Sequence, residues 1–182
     1  MIFISEAITL KNIAIENHSQ LEALIKRIYP PAYKYLWKNN DCSFYFNKFY
    51  SLENLKKELL EPYSEYYFIM LNNNIEGILR VLFNTTFQNL ESTILNTCYL
   101  HRIYLSEKAQ GKGIAKQLLH WIELKALENN NKLVWLKAMD SKEQANKFYN
   151  KNGFLKAGTS SLNFNKLQDE FRGMYILLKH LI

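Results

Sequence analysis

Two glycines lie where their backbone could hold a phosphate. They belong to the segment Gln110-Gly111-Lys112-Gly113-Ile114-Ala115, which follows a β-rich run and opens a segment with helical periodicity. Glycine lets the backbone approach a ligand closely, and the N–H groups at a helix N-terminus favour anions. Lys112 adds a positive charge nearby. The segment predicts a phosphate or pyrophosphate site, although two glycines before a helix also occur in ordinary tight turns.

The spacing of these glycines excludes two common nucleotide motifs. The segment lacks the Gly-x-x-x-x-Gly-Lys-Ser/Thr spacing of a P-loop and the Gly-x-Gly-x-x-Gly spacing of dinucleotide-binding folds. We therefore expect a phosphate-bearing ligand that is bound by another type of fold.

Composition limits the kind of protein. Of 182 residues, 48% are hydrophobic and 22% are charged, which favours one folded domain spanning residues 1–182 over a disordered chain. The sequence has no signal peptide and no membrane-spanning run, so we expect a cytoplasmic chain that does not associate with a membrane. Cys42 and Cys98 are only two and lie far apart, which favours reduced thiols and no metal site. The formal charge of +6 suits an anionic partner.

Hydrophobic periodicity and turn residues predict the elements of the first half. A strand is expected within Phe3–Ile15, followed by a helix that begins at a capping box of Asn17 and Gln20. The Pro30-Pro31 pair should end this helix, because proline lacks an N–H. Short helices and loop follow over Ala32–Tyr50. The buried face of the first helix is predicted to consist of Leu21, Leu24, Ile25 and Ile28.

A capped helix and a hairpin should complete the first half. Ser51 is expected to cap a helix over Leu52–Glu61. Two β-rich runs, Tyr66–Leu71 and Ile75–Phe83, are joined by three asparagines, which tolerate left-handed backbone in tight turns. The hairpin is followed by a polar loop over Asn84–Ser92.

The second half predicts a βαβ pattern, and hence an α/β fold with a mixed sheet. Its first helix should bury a stripe of Ala115, Leu118, Leu119, Ile122 and Ala126. A second capping box is expected at Ser141 and Gln144, and Gly153 should act as a left-handed C-cap. The predicted elements are strands over Thr93–Leu105, Leu133–Ala138 and within Arg172–Leu181, and helices over Ile114–Glu128 and Ser141–Asn150.

Three segments together resemble the GNAT superfamily of N-acetyltransferases. The strand His101–Leu105, the loop Gln110–Ala115 and the segment Ala145–Phe154 match that family over residues 99 to 158. In the loop, Gln110, Gly113 and Ala115 fit the pattern Gln/Arg-x-x-Gly-x-Gly/Ala. The resemblance implies a mixed, mostly antiparallel sheet of six to seven strands flanked by about four helices. It also implies acetyl-CoA as cosubstrate and an N-acetyltransferase activity.

The resemblance assigns roles to the site residues. The loop residues Gln110, Gly111, Lys112, Gly113, Ile114 and Ala115 would bind the pyrophosphate. The backbone of Ile103 and Leu105 would bind the pantetheine arm together with Asn146, and Tyr149 would protonate the departing thiolate. The N–H near Leu105 is suited to stabilise the thioester oxygen. His101, on the same side of its strand as Ile103, is a candidate proton relay, but a strand histidine is often structural.

The acceptor is less defined than the cofactor. We expect a primary amine of a small molecule or peptide, no nucleic-acid partner, and leave a homodimer open. The N-terminal half resembles bacterial polyamine acetyltransferases, and a non-catalytic acyl-CoA sensor is the alternative function. An aromatic group with Asp41 nearby could line a pocket for a cationic amine or form core: Tyr33, Tyr35, Trp37, Phe44, Tyr45 and Phe46.

Overall fold

The computed structural model describes residues 1–89 and 92–181, and within them the chain forms eight β-strands and five α-helices. The strands are β1 (Ile2–Phe3), β2 (Ile8–Asn12), β3 (Ser64–Leu71), β4 (Asn74–Gln88), β5 (Thr93–Leu105), β6 (Leu133–Met139), β7 (Leu155–Ser161) and β8 (Gly173–His180). The helices are α1 (His18–Tyr33), α2 (Ser43–Phe49), α3 (Leu52–Leu60), α4 (Ile114–Glu128) and α5 (Glu143–Lys151). The predicted α/β class is confirmed, with one strand more than the upper expected number.

The strands form one sheet in the order β1-β2-β3-β4-β5-β6-β8-β7. Strand β2 pairs antiparallel with β1 and β3, and β8 pairs antiparallel with β6 and β7. Strands β5 and β6 are parallel neighbours, which requires a crossover connection and confirms the predicted βαβ unit. Contacts divide the chain into two compact units, Met1–Arg80 with Arg102–Leu118, and Val81–His101 with Leu119–Ile182. The single-domain organisation stays a prediction.

In the first unit, α1 buries the predicted apolar face and continues past the prolines. Leu21, Leu24, Ile25 and Ile28 are all buried. The prediction that Pro30-Pro31 ends the helix is wrong, because α1 reaches Tyr33. Proline's φ is helical, and the Pro30 carbonyl still accepts a hydrogen bond from the Lys34 N–H. Because the prolines lie near the C-terminal end of α1, the helix loses only the two backbone hydrogen bonds that their missing N–H groups would have donated.

The single strand predicted within Phe3–Ile15 is two strands. A turn at Ser5 separates β1 from β2, and the N–H groups of Ile4 and Ser5 both donate to the Ile8 carbonyl. The capping box predicted at Asn17 and Gln20 is also wrong. The Asn17 side chain accepts from the Ala14 N–H at 3.0 Å and makes no cap bond to α1.

Between α1 and β3, short helices follow one another as predicted. Two 3₁₀ turns, Lys34–Leu36 and Lys38–Asn40, precede α2. Ser51 caps α3 as expected, since its Oγ accepts from the Asn54 N–H at 3.2 Å. The helix ends at Leu60, one residue before the predicted end.

Asparagine takes most of the left-handed backbone positions. Asn72 and Asn73, with φ of 48° and 65°, join β3 to β4 and confirm the hairpin. Asn84, expected to begin a loop, lies inside β4, and residues 90 and 91 of that loop are outside the described residues. Over residues 1–89 and 92–181, eight non-glycine residues have positive φ, and seven are asparagines: Asn39, Asn40, Asn72, Asn73, Asn84, Asn96 and Asn130.

Helix α4 begins in the first unit and ends in the second. Leu118, Leu119, Ile122 and Ala126 are buried as predicted. Ala115 is only half-buried, and Ile114 is buried in its place, because positions 114, 118 and 122 repeat at helical spacing. None of the helices in the described ranges is long and apolar enough to cross a membrane.

The second unit contains one strand that the sequence did not predict. Strand β7, Leu-Lys-Ala-Gly-Thr-Ser-Ser, has no alternation of apolar and polar residues and lies at the edge of the sheet. Helix α5 has Lys142 as its N-cap and no side-chain cap bond, so the capping box at Ser141 and Gln144 is wrong. Gly153 follows the helix with φ of 88°, as expected for a C-terminal glycine.

Candidate active site

The glycine loop of the first unit is open to solvent. Gly111 and Gly113 are exposed and both have φ of 72°, a left-handed value that favours glycine. Apart from the glycine and its two chain neighbours, no heavy atom of the described residues lies within 4 Å of the position that a Cβ would take at either residue. The loop ends at α4, where the Gln117 N–H already donates to the Gly113 carbonyl. Exposed backbone at a helix N-terminus suits an anionic ligand.

Buried residues hold both ends of this loop. Ala109, in the 3₁₀ turn Glu107–Ala109 before it, is 1% exposed, and Ile114, the first residue of α4, is 2% exposed. The Gln110 side chain does not point away from the protein. Its Nε2 donates to the Leu105 carbonyl at 3.2 Å and so links the loop to the end of β5.

Strand β4 holds the end of β5 in the first unit. The Ser106 N–H donates to the Glu76 carbonyl at 2.8 Å, and the Ser106 Oγ donates to Glu76 Oε2 at 2.5 Å. A Cβ on Gly77 would lie 2.3 Å from the Tyr104 carbonyl oxygen, so only glycine fits there. Leu105 is half-buried beside this contact. Sequence reasoning missed Glu76, Gly77 and Ser106, and only the position of Ser106 directly after a strand gave any signal.

Ile103 is also half-buried. It lies in β5 beyond Leu100, the last residue of that strand that pairs with β6. In the second unit, β5 and β6 pair at Cys98–Val134, Tyr99–Trp135 and Leu100–Leu136. Both strands continue past these pairs, β5 to Leu105 and β6 to Met139. The pairing between β5 and β6 therefore covers three residues of each strand.

The aromatic residues expected near an acceptor pack against one another. The Tyr29 ring stacks on Tyr45 at 4.1 Å and on Tyr33 at 4.8 Å. The hydroxyls of Tyr45 and Tyr104 are 2.8 Å apart, and burial raises the pKa of both groups. Trp37 is buried and its indole N–H donates to the Tyr29 hydroxyl. These side chains form a packed cluster, in which Tyr45 and Tyr104 are half-buried.

Asp41 has a local role. Its Oδ1 accepts from the Ser43 N–H at 2.9 Å, and its Oδ2 accepts from the Ser43 hydroxyl at 2.9 Å. Ser43 is the first residue of α2, so Asp41 stabilises the start of that helix.

Tyr149 of α5 is a mostly buried residue of the second unit. The residue is 9% exposed, and its ring meets Phe148 and Phe154 edge to face. Among the described residues, no hydrogen bond engages its hydroxyl. Burial raises its pKa to about 12, so the hydroxyl keeps its proton at neutral pH.

Asn146 ties α5 to the end of β6. Its Nδ2 donates to the carbonyls of Met139 and Asp140, at 3.0 and 3.3 Å. Its Oδ1 is shielded from solvent and accepts no hydrogen bond within residues 1–89 and 92–181. The same residue lines a cavity of about 340 Å³ beside Asp140, Glu143 and Tyr175. A buried acceptor of this kind is satisfied when a ligand supplies an N–H.

His101 lies in an aromatic row of the second unit. Its ring is half-buried and 5.3 Å from the ring of Tyr99, which stacks on Trp135 at 3.9 Å. Among the described residues, no group of His, Cys, Asp and Glu side chains could hold a metal ion. The predicted residues thus fall into two sets: Ile103, Leu105 and the loop lie in the first unit, and His101, Asn146 and Tyr149 lie in the second.

The chain has relatives among acetyltransferases. An uncharacterized N-acetyltransferase in the pepI 3′ region of Lactobacillus delbrueckii subsp. lactis is 29% identical over 113 residues. The match covers 62% of this chain and 64% of that protein, so it spans less than two thirds of the relative's length.

Two solved structures share the fold. The PaiA N-acetyltransferase from Thermoplasma acidophilum, in complex with coenzyme A, superposes with a TM-score of 0.72 at 18% identity, covering 96% of this chain and 99% of that one. Mutant forms of the spermidine/spermine N-acetyltransferase SpeG from Vibrio cholerae superpose with a TM-score of 0.64 at 12% identity, covering 97% and 95%. The sequence profile of the acetyltransferase (GNAT) family matches residues 24–154, well over half of the chain. With this match over its loop, α4 and α5, the chain belongs to the GNAT acetyltransferase family.

Proposed function

We propose that the chain is an N-acetyltransferase that moves an acetyl group from acetyl-CoA to a primary amine by direct attack. The observation that carries the proposal is the exposed loop at the start of α4, with two left-handed glycines and room for a ligand at both. Backbone N–H groups at a helix N-terminus bind a pyrophosphate through hydrogen bonds and the helix dipole. Because the chain belongs to the GNAT family, we expect this pyrophosphate to be that of coenzyme A.

The rest of the cosubstrate would follow the strand and α5. The backbone of Ile103 and Leu105 can hydrogen-bond an extended pantetheine arm as a neighbouring strand would. The arm contains two amides, and an amide N–H would satisfy the shielded Oδ1 of Asn146. Lys112 and Lys116 supply positive charge beside the glycines, which favours the phosphates.

The chemistry needs few side chains. A neutral amine attacks the thioester carbonyl, forming a C–N bond, while the Leu105 N–H stabilises the negative charge on oxygen. The C–S bond then breaks, and the sulfur takes a proton from the Tyr149 hydroxyl as its charge develops. A pKa of about 12 keeps that proton in place until the thiolate forms, at the cost of acid strength. The attacking nitrogen loses its surplus proton to water, with His101 as the candidate relay, and Tyr149 regains a proton from solvent.

The acceptor class is a primary amine: a polyamine, another small amine or a peptide amine. PaiA and SpeG are N-acetyltransferases with the same fold, and SpeG is named for spermidine and spermine. Tyr45 and Tyr104 are half-buried members of the packed cluster in the first unit, and aromatic faces of this kind attract an ammonium group. A cytoplasmic location, the lack of a nucleic-acid or membrane partner, and a homodimer stay predictions.

An amine panel tests this function. The purified chain is incubated with acetyl-CoA and, separately, with spermidine, monoamines, amino acids and a peptide with a free N-terminus. We expect one acetyl group to be added to at least one class of amine, detected by mass, with release of free thiol. Tight coenzyme A binding without transfer to any amine would instead indicate an acyl-CoA sensor, and the absence of both would contradict the proposal.

A further inference from the structure

We propose that Glu76 and Ser106 are positioning residues that set where the cofactor loop begins, and thereby the affinity for coenzyme A. The inference rests on the proposed function, since it concerns the same loop. It adds two residues that lie outside the Gln110–Ala115 segment and make their contacts through the backbone and through each other.

The loop cannot fix its own position. Its glycines are exposed, and within residues 1–89 and 92–181 only the chain neighbours lie within 4 Å of where their Cβ atoms would be, so packing does not restrain them. What fixes the loop is its ends: Ile114 is buried at the start of α4, and Ala109 is buried on the other side. The N–H groups of Ala109 and Gln110 both donate to the Ser106 carbonyl, at 2.9 and 3.2 Å. A shift of Ser106 would therefore move the loop.

Ser106 in turn is held by Glu76 through two bonds. One is a main-chain bond, which any residue at position 106 except proline would make. The other runs from the Ser106 hydroxyl to the Glu76 carboxylate at 2.5 Å, in a buried setting where such charge-assisted bonds are strong. Glu76 is itself placed by Arg27 of α1, whose Nη1 is 3.6 Å from Oε2 and whose Nη2 donates to the Ile75 carbonyl.

Burial of a carboxylate is costly because the charge is desolvated, so a buried carboxylate is expected to make a specific interaction. Glu76 is 9% exposed, and its cationic partner Arg27 is half-exposed, so the ion pair alone gives little stability. Its Oε2 is the atom that accepts from Ser106, next to the strand end where Gly77 lets the two backbones meet. The geometry therefore assigns the carboxylate to fixing the strand end from which the loop departs.

Three variants of the full chain test this inference: Ser106→Ala, Ser106→Thr and Glu76→Leu. Coenzyme A affinity is measured by calorimetry, KM and kcat by turnover of the best amine, and folding by thermal melting. We expect Ser106→Ala to weaken coenzyme A binding about tenfold, the effect of losing one bond to a charged group. KM for acetyl-CoA should rise accordingly, while KM for the amine stays near the wild-type value. Ser106→Thr should restore the affinity, because it keeps the hydroxyl.

Glu58→Gln is the matched control, as Glu58 is the other buried carboxylate of this unit and binds Arg102 at 2.6 Å. It should lower the melting temperature without a comparable loss of coenzyme A affinity. Wild-type affinity in Ser106→Ala, or equal losses in Ser106→Ala and Ser106→Thr, would overturn the inference. If Ser106→Ala does not fold, Glu76→Leu decides, since leucine cannot accept from the Ser106 hydroxyl and unchanged affinity there has the same meaning. A wild-type chain that binds no coenzyme A would refute the proposed function itself.

Discussion

At the scale of single residues, Tyr149 and Asn146 carry the clearest chemical signals. Asn146 has a shielded amide oxygen that accepts no hydrogen bond from the described residues, which is costly unless a ligand supplies a donor. The Tyr149 hydroxyl has a pKa that burial raises to about 12. Both residues lie on α5, which connects β6 to β7. The Asn146 oxygen is thus suited to contact a bound molecule, while the Asn146 nitrogen and the Tyr149 ring stabilise the fold.

Tyr149→Phe tests the acid role. The substitution removes the hydroxyl and keeps the ring against Phe148 and Phe154, so the fold should be retained. We expect kcat to fall about 100-fold, the lower range for loss of a general acid, with little change in the dissociation constant for acetyl-CoA. Turnover and binding are measured on the same preparation, and a proportional loss of both would assign Tyr149 to binding.

The pH profile gives a second check on Tyr149. An ordinary tyrosine loses its proton near pH 10, whereas burial raises the pKa of Tyr149 to about 12. Because the acid form persists below its pKa, kcat should not fall through ionisation of Tyr149 as pH rises to about 10. A wild-type decline near pH 10 that is missing in Tyr149→Phe would contradict this assignment.

At the scale of elements, the junction of loop and α4 is where sequence and structure agree best. Gly113 has positive φ and open space around it, so a side chain there would not clash. It would strain the backbone by about 1 to 2 kcal/mol, because residues other than glycine disfavour the left-handed conformation. The side chain would also cover the N–H groups that a pyrophosphate needs.

Gly113→Val should therefore weaken coenzyme A binding at least about tenfold, since the strain and the covered site add. Gly158→Ala in β7 is the control, because its new Cβ would meet only Ile176 at an ordinary 3.7 Å. Calorimetry on both variants gives the comparison. Unaltered affinity in Gly113→Val would show that the loop does not hold the cofactor.

Much of the element order could be predicted, and each error has a local cause. The stripe of α4 and the asparagine turn at Asn72 follow from periodicity and from tolerance of left-handed backbone, which are properties of short segments. Strand β7 could not be predicted, since its pairing with β8 comes from the sheet and not from its small polar residues. The capping box at Asn17 failed because its side chain accepts from the Ala14 N–H, and the one at Ser141 failed because Lys142 is the N-cap of α5.

Candidate site residues could be predicted from the sequence only where they lie close together in one motif. The Gln110 loop is a local pattern, and so are Asn146 and Tyr149 on one helix. Glu76 and Ser106 are thirty residues apart and meet only because β4 and β5 are neighbours. A glutamate after a hairpin turn looks in sequence like any solvated charge.

At the scale of the whole molecule, charge is the property most relevant to binding. The chain carries 23 basic and 17 acidic residues, giving a formal charge of +6. Coenzyme A is a polyanion, so a positive protein attracts it over distances comparable to the Debye length, about 10 Å at 0.1 M salt.

Coenzyme A binding should accordingly weaken as salt rises, mainly through slower association. The association rate is measured at several concentrations of sodium chloride, with an uncharged pantetheine fragment as the control. We expect a decline for coenzyme A and a flat response for the fragment. Equal responses would mean that the net charge plays no part in recognition.

The asparagine turns have a consequence for the lifetime of the protein. Asparagine is chemically labile, and seven left-handed positions of the described chain depend on it. Each deamidation would replace a neutral amide by a carboxylate and lower the net charge of +6 by one. An aged preparation would therefore become progressively more acidic. Asn84→Gly and Asn96→Gly, which keep the left-handed backbone and do not follow another asparagine, would slow that change.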